Sequence, residues 1–227
     1  MKILDRCGAL SGAVGFVLIT VGSDVLGTAP GPQTAHPSGQ QGLDHLQWLA
    51  ANTSAQVGVT LELLGFAMSI IFIGYLCTRV RGAGWLATAA LAGGTIWIAV
   101  KLASGAPVFA AYVLRDEITP QTARLLFDMN GAAFVVTWIP EGIFVACAAA
   151  AALMCGVLGR VLGWGGVIVG GATVLLTAVT GVNVLAANFL PFLFCTLWTL
   201  LVSLRLGLRR TSQNTSVVAP DAVPVAV

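Results

Sequence analysis

Apolar positions in this chain do not alternate and do not fall at three-and-four spacing; they come in continuous runs at 8–27, 57–78, 83–105, 135–157, 162–183 and 184–204. A helix rises 1.5 Å per residue, so about twenty apolar residues cross the ~30 Å hydrocarbon core of a bilayer. Barrel strands would instead be runs of about ten residues with alternating character. The pattern predicts an all-α fold, a six-helix transmembrane bundle forming one integral membrane domain over residues 1–210. Residues 211–227, rich in Ser, Asn, Pro and Val without periodicity, are expected to be a disordered cytoplasmic tail.

Two polar stretches interrupt the runs. The stretch 28–56 starts with Ala29-Pro30-Gly31-Pro32 and Pro37-Ser38-Gly39, which is turn chemistry, and continues through Leu43 to Ala51 with apolar residues near helical spacing and Trp48 as an interfacial anchor. A short surface helix is expected there. The stretch 106–134 contains Thr119-Pro120, an N-cap followed by proline at the first helical position, and so predicts a helix start. Leu125, Leu126, Phe127 and Met129 would then rest on the bilayer edge.

Composition agrees with lipid as the solvent: 57% of the 227 residues are hydrophobic and only 9% charged, against about 25% charged in soluble domains. Charge placement adds orientation. Lys2, Arg6, Arg79, Arg81, Arg160, Arg205, Arg209 and Arg210 fall on one side of the predicted bundle, while Arg115 and Arg124 fall on the other and Lys101 lies just inside span three. Basic residues concentrate on the cytoplasmic side. Both termini are therefore expected in the cytoplasm. The basic start and apolar core of residues 1–22 resemble a secretory signal, but Gly27-Thr28-Ala29 is a poor cleavage site, and the first span is expected to stay.

The chemistry-bearing residues inside the spans are few. Asp24, Glu62, Lys101 and Glu141 are the candidate polar intramembrane site, because a charge within a span is costly and usually faces protein or water. Glu62, Arg81, Gly84 and Trp85 recur 79 residues later as Glu141, Arg160, Gly163 and Trp164, so spans two and three resemble spans four and five as a parallel repeat of helix hairpins. Counted as one helix, each glutamate lies about 28 Å from its arginine, in the outer third of the bilayer. Lys101 is expected to pair with one of the acids, and two acids left together would form a proton- or cation-binding vestibule. Pro140 and Pro191 are candidate bends. Gly166 and Gly170, with Gly163, Gly165, Gly171, Gly93 and Gly94 nearby, are candidate helix-packing positions.

Enzyme motifs are absent. Gly82-Ala83-Gly84-Trp85-Leu86-Ala87 has the text of a dinucleotide fingerprint but follows a membrane span and lacks the later acid. His36 and His45 share one loop, with Asp44 as the only neighbouring acid, too few constraints for a metal site. Ser11, Ser69 and Ser203 have no histidine near in sequence. Five cysteines, unpaired in spacing, read as small buried hydrophobes. Asn52-Thr53-Ser54 fits a glycosylation acceptor. No catalytic residue, cofactor, metal or nucleic-acid partner is expected.

The segment from Thr119-Pro120 through Leu125-Leu126-Phe127-Asp128-Met129-Asn130-Gly131, Ile139-Pro140-Glu141 and Leu158-Gly159-Arg160-Val161-Leu162-Gly163-Trp164 resembles small, uncharacterised multi-pass membrane proteins of actinobacteria. Leu197-Trp198 to Ser203-Leu204-Arg205-Leu206 resembles their closing helix. The resemblance covers the second half of the chain; it implies a bacterial inner membrane and six or so helices, and carries no activity with it. Two function classes lead, ahead of a third, a carboxylate-only enzyme acting on lipid-phase substrates. One is a non-catalytic subunit, sensor or envelope component with the bilayer and a membrane-protein partner or second copy around it. The other is a small proton- or cation-coupled transporter with an outward-facing acidic vestibule.

Overall fold

A computed structural model describes residues 3–27, 38–180 and 190–208; Asp24, Thr180 and Pro191 are described in their backbone only. Apart from short turns and caps the described residues are helical, and none is in a strand. Helix α1 spans Ile3–Ile19 and runs into a π-helical turn, Thr20–Leu26; α2 spans Gly39–Ala51, α3 Thr53–Arg79 and α4 Trp85–Val113; α5 spans Pro120–Val136, α6 Trp138–Met154, α7 Arg160–Thr180 and α8 Leu190–Leu208. Five helices are long and apolar enough to cross a membrane, the fourth being α5 and α6 taken together, and α8 contributes a shorter apolar helix. The expected boundary between the runs 162–183 and 184–204, the tail from residue 211 and His36 lie outside the described residues.

The helix ends follow from local chemistry. Ser38 accepts from the Gln41 amide while the Gln41 side chain accepts from the Ser38 amide, a reciprocal capping box that starts α2 four residues earlier than the Leu43 start expected from apolar spacing. Asn52, the residue of the glycosylation pattern, caps α3 by accepting from the Ser54 amide at 3.1 Å. Thr119 caps α5 as expected, with Pro120 in the first turn. Between α3 and α4 the chain reverses at Gly84, whose φ of 62° suits a residue without Cβ.

The starts of α1, α4 and α7 and the ends of α3, α6 and α8 gather at one end of the bundle. Cys155 lies 3.6 Å from the Val80 carbonyl, Tyr75 lies against Gly8, and Arg205 against Gly159. This end carries Arg79, Arg81, Arg160 and Arg205 and is the basic end; the other, where α2 and α5 lie, is the far end. Helices α3 and α4, 27 and 29 residues long, measure about 40 Å and 44 Å and so outreach a ~30 Å core. Span three therefore continues through Pro107 to Val113, past the residue-105 end expected for it.

Helix α6 is the axis of the bundle: Trp138, Glu141, Phe144, Val145, Ala148, Ala149, Ala151 and Ala152 are all at most 2% exposed. Its alanines and glycines admit neighbouring backbones. A Cβ on Gly142 or on Gly170 would meet the other residue's carbonyl oxygen at 2.7 Å and 2.5 Å, and one on Gly166 would meet the Ala149 methyl at 2.6 Å, so the Gly166 and Gly170 pair packs α7 onto α6 within this chain. A second glycine contact joins α1 and its π turn to α3: a Cβ on Gly22 would meet the Gly58 carbonyl at 2.5 Å, and one on Gly65 the Gly15 carbonyl at 2.9 Å. Ser203 of α8 is fully buried; its hydroxyl donates to the Ala9 carbonyl at 2.6 Å and accepts from the Ala13 amide at 2.7 Å, clipping α8 to α1. Outward-facing Ile70, Ile71, Ile96, Ile168, Leu175 and Leu201 leave the waist of the bundle apolar.

Candidate functional site

Glu62 and Lys101, two of the charges singled out within the spans, lie toward the far end. There α3 and α4 diverge enough to enclose a cavity of about 390 Å³, with Glu62 on α3 and Lys101 on α4 in its wall, Phe66 at its base, and Tyr112 and Asn130 toward the far end. Helix α2 contributes Leu49 and α5 contributes Asn130, so the two short helices close the top. The lining is mainly apolar. Leu63, Leu102 and Phe109 belong both to the lining and to the surface, at 44%, 42% and 46% exposure, so the cavity has an apolar rim. Size and lining fit a small-molecule site, where apolar walls supply affinity and a few polar groups fix orientation.

Lys101 also belongs to a second cluster. Its Nζ lies 4.1 Å from the centroid of the Phe134 ring, a cation–π seat. Phe134 meets Trp138 edge-on at 5.8 Å and Phe192 at 5.2 Å, and Phe192 stacks on Trp138 at 6.3 Å. One turn beyond Trp138 on the same helix is Glu141, with no exposed surface. Its Oε1 is 3.5 Å from the Thr196 hydroxyl, a long contact, because that hydroxyl already donates to the Phe192 carbonyl at 2.9 Å. Among the described residues its Oε2 has no hydrogen-bond partner, and neither has the buried Trp138 indole nitrogen. Lys101 on Phe134, and Phe134 on Trp138, make the cavity wall and the surroundings of Glu141 contiguous.

Three of the four polar residues singled out from the sequence thus come together: Glu62 and Lys101 across a cavity, Lys101 and Glu141 through the aromatic cluster. Asp24 lies in the π turn, which abuts α3 at Gly58 and Glu62; its side chain lies outside the described residues. The expectation that both glutamates sit at one depth near interfacial water is corrected. Val80 and Cys155 mark one level at the basic end; Glu62 is eighteen residues and Glu141 fourteen residues from it, about 27 Å and 21 Å. Helix α6 ends at Met154 and a turn of five residues, 155–159, leads to Arg160, whereas α3 runs to Arg79. The two halves of the sequence repeat also differ locally, since Gly84 caps α4 with positive φ while Gly163 lies inside α7.

Other expectations are redistributed. Pro140 falls in the first turn of α6, where an amide is unneeded, and the helix breaks at Thr137, three residues earlier. Phe127 packs on α2 instead of the bilayer edge, with its ring 5.9 Å from His45. Two cysteines, Cys7 and Cys155, are exposed rather than buried, and all five are free thiols. Among the described residues no three His, Cys, Asp or Glu side chains gather closely enough to hold a metal ion. The aromatic cluster of Phe134, Trp138 and Phe192 was missed in the sequence, although Phe134 and Trp138 at i and i+4 share a helical face. No protein-family model, curated protein or solved structure matches the chain.

Proposed function

We propose that this chain is a non-catalytic multi-pass protein of a bacterial inner membrane that binds a small zwitterionic amphiphile at its far end and acts as a carrier for it. The observation behind this reading is that Glu62 and Lys101, opposite in charge and on different helices, line one mainly apolar cavity of about 390 Å³. A ligand with a cationic group facing Glu62, an anionic group facing Lys101 and an alkyl part along Phe66 and the Leu63–Leu102 rim matches that wall in sign and polarity. Six crossings with both termini cytoplasmic are part of the proposal; the gathering of Arg79, Arg81, Arg160 and Arg205 at one end supports it, and the far end then faces outward.

Native mass spectrometry of the detergent-purified protein tests the ligand. The wild type is expected to carry a bound amphiphile that Glu62→Gln and Lys101→Gln lose together. Equal adduct masses in all three proteins would remove the cavity from the account. Ile96→Leu, a change of equal volume on the outward face of α4 away from the cavity, serves as the control that keeps the adduct.

A further inference from the structure

Glu141 has no part in the cavity wall, yet it is the costliest side chain in the bundle. A carboxylate without exposed surface, with one oxygen on a long contact and the other on none, has lost its hydration and gained little in return. A metal cation does not fit as the complement. Sodium-like ions take several oxygens, and the hydroxyl that reaches Glu141, that of Thr196, is already engaged with Phe192. A proton needs one oxygen only. It converts the unpartnered oxygen into a neutral acid, which costs far less to bury than a carboxylate.

The surroundings identify what exchanges with that proton. On α4, Lys101 sits on Phe134 of the aromatic cluster beside Glu141; from α8 the Thr196 hydroxyl meets Glu141 and the Cys195 thiol meets Thr173; α7 presents Gly170 and Thr173 and has no titratable side chain beyond Arg160 at the basic end; Glu62 of α3 lines the cavity. Lys101 belongs both to the cavity wall and to the aromatic cluster next to Glu141.

We propose that Glu141 is a proton-binding residue coupled through Lys101 to occupancy of the cavity. This rests on the carrier reading above and deepens it to proton-linked uptake. The positive charge of Lys101 favours a carboxylate at Glu141. An anionic ligand group brought against Lys101 offsets that field, and Glu141 then takes one proton from solvent: an O–H bond forms at Oε2, and ligand and proton are held together. Release of either favours release of the other, since coupling between two sites is reciprocal.

Infrared difference spectroscopy of the protein in lipid, titrated with pH, reads the C=O stretch of a protonated carboxylic acid. A titrating acid band is expected in the wild type, absent in Glu141→Gln, which keeps shape and hydrogen-bonding capacity and so the fold. Lys101→Gln is expected to hold the band to pH values about one unit higher, and Lys101→Arg, which keeps the charge, to restore the wild-type profile. A wild-type band that is absent, independent of pH, or retained in Glu141→Gln overturns the proposal, as does an identical titration in Lys101→Gln. Failure here with the adduct still lost in Glu62→Gln leaves a carrier without proton coupling; an adduct retained in Glu62→Gln with a Lys101-sensitive band removes the carrier reading instead.

Discussion

Single residues carry the tightest constraints, and the glycines of α7 show how finely they are drawn. In sequence Gly165, Gly166, Gly170 and Gly171 are equivalent small residues in an apolar run. In space a Cβ at Gly170 would strike the backbone of α6 at 2.5 Å, while a Cβ at Gly171 meets nothing within 4 Å. Backbone cannot yield as a flexible side chain does. Gly170→Ala is therefore expected to destabilise the detergent-solubilised protein by about 1 to 3 kcal/mol through overpacking. Gly171→Ala should be neutral or stabilise by up to about 1 kcal/mol, through helix propensity. Thermal unfolding followed by tryptophan fluorescence separates the two, and equal midpoints would mean that α6 and α7 do not approach this closely. Ser203 teaches the same lesson from the polar side: without a nearby histidine it reads as a mere spectator in the sequence, and the fold uses it to bridge two backbone groups of α1.

Among the elements, α2 is the one whose attachment depends on pH. It seats on α5 through Gly42 against Phe127, Leu46 with no exposed surface, and His45 edge-on to Phe127 and tilted on Trp48 at 5.8 Å. Burial lowers the pKa of His45 below its usual value of 6.5, because the apolar seat disfavours the imidazolium. The detached helix then binds protons more readily than the docked one. Docking is thus at full strength above the unperturbed value and weakens as pH falls through it toward the lower docked value. Hydrogen exchange of the α2 amides should accelerate on acidification below about pH 6.5, and His45→Gln should remove the pH dependence. Exchange in α2 that ignores pH would count against this seat for His45. The existence of α2 and α5 was legible from Leu43–Ala51 spacing and from Thr119-Pro120; their pairing was not, because Phe127 and His45 lie 82 residues apart and no local signal joins them.

For the whole molecule, the proposed topology makes a test independent of any ligand. Reporter fusions at residue 208 and in the 155–159 turn are expected on the cytoplasmic side, and a fusion in the 114–119 turn on the opposite side. A reporter at 208 that appears opposite the one at 155–159 would break the six-crossing arrangement. That the chain folds as apolar helices was determined by the sequence alone. Hydrocarbon offers backbone groups no partner, so each must be satisfied within its own segment, and a run of twenty apolar residues states this locally. Which residues meet was decided only by the tertiary structure. Glu62, Lys101, Glu141 and Phe192 stand on four helices, and their neighbours depend on helix rotation, on where α6 stops at Met154, and on glycine contacts that set the spacing of α6 and α7. A polar residue's cost in lipid is readable from its identity; whether it faces a cavity, an aromatic ring or an unpartnered donor is a property of packing, and packing is assembled from distant parts of the chain.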